Sequence, residues 1–183
     1  MAKPTRDQLD MVLAHNSQIG LLCTQWAYLE WMLEVAIWWF SDLLDKSDEE
    51  RLTETGGKPI SVLAREASNI AHRKLTSKSD LDAMKEIAKR VEESLAERNL
   101  AIHGVRTLTA DEAVLARVTR GKYKGTLQHL SLIRLRSLNE EVERIIAVME
   151  SLLHSHGVIE GMTEASRRYF QDQRLRLQPL SAR

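Results

Sequence analysis

Apolar residues recur at three- and four-residue steps along most of the chain, and the first such run is Ile19, Leu22, Trp26, Leu29, Leu33, Ile37, Phe40 and Leu44. That is the period of an α-helix with one buried face, and it predicts a first helix from about Thr5 to Asp45. A second apolar row, Trp31, Val35, Trp38 and Trp39, makes the C-terminal half of this helix hydrophobic nearly all round. Such a half-helix either lies at the centre of a bundle or faces another chain. Lys46 to Lys58 is charged and contains Gly56 and Gly57 ahead of Pro59, a set of breakers that predicts a loop. Ile60, Leu63, Ala64, Ala67, Ile70 and Ala71 then predict a short second helix. Leu81, Met84, Ile87, Ala88, Val91, Leu95 and Ile102 predict a third, capped by Ser79 or Asp80 and stopped by Gly104. The last periodic run, from Leu130 through Leu138, Val142, Ile146 and Met149 to Leu153, predicts a long fourth helix that stops near Gly157.

Between the third and fourth helices the pattern breaks. Val114–Val118 and the stretch around Tyr123, with Gly121 between them and Gly125 after, read either as a small two-stranded hairpin or as a plain loop. From Arg167 the tail carries five Arg against one Asp and includes Pro179, and it is expected to extend as a helix and then fray. The fold class expected is all-α: an antiparallel four-helix bundle in a single domain over residues 1–183. Residues 105–128 form an insertion in it, and residues 167–183 a basic tail.

Charge and cysteine usage narrow the function classes. Lys plus Arg and Asp plus Glu number 26 each, so no global positive field drives non-specific nucleic-acid binding and any such contact must be local. The single cysteine, Cys23, cannot form an intramolecular disulfide and has no zinc-type spacing around it, which points to a reducing compartment, the cytoplasm. The start, Met1 to Gln8, is polar and lacks the apolar core of a secretory signal. Glu30, Glu34 and Asp42 interrupt the greasiest stretch, which reads as a buried helix and not a membrane span. His154 and His156 stand two apart, on different faces of a helix, and His15, His72 and His129 are isolated. No Glu-x-x-His pair, Gly-rich phosphate loop or Gly-x-Ser-x-Gly elbow is present, so neither a metal nor a cofactor is expected.

One segment carries chemistry: Arg98-Asn99-Leu100-Ala101-Ile102-His103-Gly104, at the end of the third helix. Arg98 offers a planar fork for a phosphate or a developing oxyanion, and His103 a group that passes protons. Five residues apart on a helix, the two side chains diverge by roughly 140°, so they converge only if the helix end frays or a second chain supplies one of them. The plain alternative is a basic helix end followed by Gly, with Arg98 paired to Glu93, Glu97 or another acid. A second basic feature lies between Glu112 and Glu140. No acid occurs there, while Arg117, Arg120, Lys122, Lys124, Arg134 and Arg136 do, with Tyr123 as a stacking surface. It reads as an RNA track or as a solvated face.

Arg98, Asn99, three further residues and His103, placed at the end of the third of four helices, resemble the signature of the HEPN superfamily. The likeness covers approximately residues 5–157. It implies a metal-independent endoribonuclease that works as a homodimer, with Arg and His from both chains facing one cleft. His103 would then handle the ribose 2′-hydroxyl proton or the leaving oxygen, Arg98 would hold the scissile phosphate, and Asn99 would orient His103 or the phosphate. RNA is the partner so implied, the role that of a toxin or defence effector, and an antitoxin or regulatory protein a further partner. Members that keep the fold without cutting RNA supply the alternative, a dimeric binding or scaffolding module. One departure is visible. In the toxins paired with minimal nucleotidyltransferase antitoxins, a Tyr that is modified follows the His after one residue, and this chain has Val105 there.

Overall fold

The computed structural model describes residues 5–103, 105–108, 113–116 and 130–159. Helix α1 (Arg6–Phe40) opens with a capping box: Thr5 Oγ1 accepts the Gln8 N–H, and Gln8 Oε1 accepts the Thr5 N–H at 3.0 Å. It ends earlier than the hydrophobic pattern predicts. Asp42 takes a left-handed conformation (φ 58°), which lets the Leu43 N–H reach the Trp38 carbonyl at 2.7 Å and closes the helix. Residues 46–58, predicted as a loop, contain helix α2 (Asp48–Thr55). Its start is a second capping box, Ser47 with Glu50, reinforced by three acids in the first turn. The charged character that suggested a loop is that of a short helix lying mostly in solvent.

Helix α3 (Ile60–Ile70) follows Pro59, and a 3-10 turn (Ala71–Arg73) joins it to α4 (Lys78–His103), which begins one residue before the expected cap. Strands β1 (Val105–Leu108) and β2 (Ala113–Ala116) pair antiparallel, Val105 opposite Ala116. The hairpin therefore takes the segment directly after α4 as its first strand, with Arg106 opposite Leu115 and Thr107 opposite Val114. Tyr123 lies outside the described residues. Helix α5 (Leu132–Ser155) ends near the predicted stop, where Gly157 at φ 68° allows the Val158 N–H to reach the Leu153 carbonyl.

The described residues are thus mainly helical, and α1 and α4 each pack on both α3 and α5. Side-chain pairs give the directions. Gln18 meets Asn139 and Tyr28 meets Glu150, so α1 and α5 run parallel; Arg90 meets Glu141 and Glu97 meets Arg134, so α4 runs against α5. Antiparallel packing holds for α4 with α5 and not for α1 with α5. The reason lies in the connections: α2 and the short α3 return the chain so that α4 starts beside the end of α1. There His156, just after α5, lies against the Trp39 ring and 3.1 Å from Asp80. The core follows the predicted rows, with Leu22, Trp26, Leu29, Leu33, Ile37 and Phe40 of α1 all buried. Asn139, also buried, donates to both the Gln18 carbonyl (3.0 Å) and Gln18 Oε1 (2.8 Å), which holds α1 and α5 in one register. No helix among the described residues is long and apolar enough to cross a membrane.

The all-round hydrophobic half of α1 is covered by its own chain. Trp38 Nε1 donates to the Arg51 carbonyl and to Thr55 Oγ1, each at 3.1 Å, and the Arg51 guanidinium lies 5.3 Å from the Trp38 ring centre. Trp39 packs on Phe40 and His156, and Trp31 stacks on Tyr28 at 5.8 Å. Helix α2 is the partner that the predicted loop concealed, so this row no longer requires a second chain. Trp38→Phe is expected to cost about 1–2 kcal/mol by removing the indole donor from buried Thr55. The loss should appear as faster hydrogen exchange confined to residues 48–55; uniform loosening of α1 and α5 would show that the indole does not anchor α2.

Glu34 adds a pH dependence to the same contact. Burial pushes its carboxyl above the ordinary glutamate range and the neighbouring Glu30 charge adds to this, against a Thr55 hydrogen bond that acts the other way. The folded chain therefore binds this proton more tightly than the unfolded chain does. The cost of holding the charge is fully present above the folded pKa and is relieved as pH falls towards the unfolded value. Glu34→Gln is expected to raise stability at neutral pH and to remove that part of the acid-side gain, measured by urea denaturation at several pH values.

Candidate functional site

The site is built on the last turns of α4, where neighbouring side chains leave the helix about 100° apart. Glu97 turns to α5 and accepts two hydrogen bonds from Arg134, Nη2 at 2.6 Å and Nε at 2.9 Å. Arg98 turns to α1. Its guanidinium carbon lies 5.5 Å from the ring centre of Trp26, a side chain only 2% exposed, in a cation–π contact. Its Nη1 donates to Asn99 Oδ1 at 3.0 Å. The plain expectation, Arg98 neutralised by Glu93 or Glu97, is not met: Glu97 is taken by Arg134, and Arg98 has no ion pair among the described residues.

Two features give this arrangement chemical capacity. Arg98 Nε is buried and without a hydrogen-bond partner among the described residues. A buried N–H of that kind calls for an acceptor, and a phosphate oxygen suits a guanidinium best. His103, the last residue of α4, is exposed, and among the described residues no hydrogen bond engages it. Arg98 and Asn99 are therefore brought together by one bond, while His103 stands apart from them on the same helix. Gly104, the expected stop, lies outside the described residues.

The expected RNA track divides. Arg117, Arg120, Lys122 and Lys124 lie outside the described residues, as does the basic tail from Arg167. Arg134 is described and departs from expectation, because the hydrogen bond and charge of Glu97 hold its guanidinium above the ordinary arginine range and occupy it. Arg136 is exposed. A cleft of about 260 Å³ opens between α4 and α5, lined by Arg90, Glu93, Ser94, Glu97, Arg134, Ser137, Leu138 and Glu141. Its arginines are already matched, Arg90 to Glu141 at 2.7 Å and Arg134 to Glu97, and Glu93 leaves it acidic. A polyanion gains nothing there, and Arg98 does not line it.

Trp26 as the shelf under Arg98 is not legible in the sequence. Trp26 belongs to the core row of α1, and helical period alone does not say which residue of α4 crosses it. Among the described residues no group of three or more His, Cys, Asp or Glu is placed to hold a metal ion. The chain matches no family model, no curated protein and no solved structure.

Proposed function

We propose that this protein is a metal-independent endoribonuclease of HEPN type, acting as a homodimer in which Arg98 and His103 of two copies share one cleft. The observation that carries the reading is Arg98 itself, a guanidinium held against Trp26 with a buried, unpartnered Nε, five residues before an exposed His103 at the helix end. In the reaction the ribose 2′-oxygen attacks the adjacent phosphorus, the bond to the 5′-oxygen breaks, and the proton lost by the nucleophile is matched by one gained by the leaving oxygen. His103 takes or gives that proton. Arg98 binds the non-bridging oxygens as charge grows on them, and Asn99, bonded to Arg98, sets the plane of the guanidinium. A second copy supplies the convergence that the roughly 140° divergence denies to one helix. A role as a toxin or defence effector, restrained by an antitoxin or regulatory protein, belongs to the same proposal.

A non-cutting binding module is the second reading, and one observation favours it: within one chain Arg98 is engaged by Trp26 and Asn99, with His103 apart. Purified protein incubated with a broad RNA panel, with and without EDTA, separates the two. The enzyme reading expects cleavage that EDTA does not reduce. No cleavage by a verified, inhibitor-free dimer overturns it in favour of the module.

A further inference from the structure

Helix α2 differs from the other helices in how little it buries. Of its residues only Thr55 is buried, while Leu52, its single apolar side chain, is 57% exposed. Its internal bonds, the Ser47–Glu50 capping box and the Arg51–Asp48 ion pair, travel with the helix wherever it lies. Its hold on α1 runs mainly through Trp38, which meets the Arg51 carbonyl, Thr55 Oγ1 and the Arg51 guanidinium, with the Glu34 carboxyl beside Thr55 as a second contact. The chain on either side is fastened more firmly. Before α2 the Leu43 N–H is bonded to the Trp38 carbonyl at 2.7 Å, and Asp42 is ion-paired with Lys74 from the connection that precedes α4. After α2 the Lys58 ammonium pairs with Glu66 of α3 at 2.8 Å. Exposed Asp45 and Lys46 on one side, and Gly56 with Gly57 (φ 73°) on the other, are the joints between fastened ends and helix.

We infer that α2 is a strap, which leaves α1 as one piece between its two fastened ends and uncovers Trp38 and Glu34 while the bundle stays folded. The balance of contacts supports this. Opening breaks two hydrogen bonds to one indole and one cation–π contact, and it exposes one threonine. It also returns water to Glu34, whose charge burial disfavours. The other helices leave the core only by exposing apolar rows. Even short α3 buries Ile60, Leu63, Ala64 and Ala67. Segments with few buried apolar contacts are the ones that open well below the free energy of global unfolding. While closed, the strap is an autoinhibitory cover for this face of α1. A partner that seeks the Trp38 ring or its indole N–H meets α2 first, and its apparent affinity is reduced in proportion to the open fraction. The inference does not depend on RNA cleavage and is tested without it.

The experiment has two readouts on the full chain. Hydrogen exchange of the Trp38 indole N–H is followed by NMR beside the backbone amides of Leu29 and Leu33, each corrected for its intrinsic rate. Separately, Thr55→Cys and Ala36→Cys are each placed in a Cys23→Ser background, since Cys23 is exposed, and labelled with a thiol reagent. Thr55 and Ala36 are both 0% exposed, but only the first lies under the strap. The indole should exchange, and the Thr55→Cys thiol react, at least about 100-fold faster than their core controls. Both rates should hardly change with urea below the unfolding transition, because the opening exposes little surface. If both sites follow their controls with the urea dependence of global unfolding, the inference is overturned. A fast Thr55→Cys thiol beside a slow indole in the parent overturns it as well, because the looseness would then come from the substitution.

Discussion

His103→Ala is expected to lower RNA cleavage by roughly 100-fold or more while leaving folding nearly untouched. Imidazole at the exposed end of α4 has no hydrogen bond among the described residues, so its removal breaks little structure. Its interaction with the helix dipole is worth at most about 2 kcal/mol. Activity and stability should therefore separate. Arg98→Lys provides the complement. Charge is kept, but an ammonium cannot present the fork, nor lie flat on Trp26 as a guanidinium does, so most of the activity should be lost. Initial rates on a cleaved RNA, read beside urea midpoints, check both. If cleavage by either variant matches the parent, neither residue does the chemistry assigned to it. If the two variants lose stability in step with activity, the segment is an ordinary helix end.

Trp26→Ala should produce the largest loss of stability, about 3–5 kcal/mol. The ring is almost fully buried between α1 and α4, and its deletion leaves a cavity that the neighbouring helices fill only in part. It also removes the surface on which Arg98 rests. Trp26→Phe distinguishes packing from positioning, since a smaller ring retains most of the apolar contact but offers a weaker face to the guanidinium. Stability should fall modestly in that variant while, on the proposed function, turnover falls more than substrate affinity, because Trp26 would act through the aim of Arg98 without touching RNA itself. Equal losses in Trp26→Phe and in a core variant away from the site, such as Leu63→Ala, would leave Trp26 with a packing role alone.

Much of the helical framework is legible in the chain because helices are local. Hydrogen bonds span four residues, so the rows Leu22–Trp26–Leu29–Leu33 and Leu135–Leu138–Val142–Met149 announce both element and buried face, and Gly157 announces a stop that the left-handed turn after α5 uses. Other local signals are outweighed by composition. Ser47 and Glu50 form a capping box that is readable in the chain, but the surrounding acids give α2 the composition of a loop. The segment with Arg98, Asn99 and His103 is legible directly, since residue type and spacing are sequence properties.

What the sequence by itself determined, then, is the helical period, the buried rows, the stops and the presence of one Arg-Asn-x-x-x-His segment on a helix end. Tertiary structure alone decided that α1 and α5 run parallel, that β2 pairs with the strand directly after α4, that Glu97 turns to Arg134, and that Arg98 lies on Trp26. The physical reason is the range of the interactions. A periodic apolar row states that a helix has a face to bury, but any other apolar row satisfies that demand about equally. The partner is selected by contacts between residues far apart in the chain, such as Asn139 with Gln18 and Arg98 with Trp26, and these exist only once the helices have met.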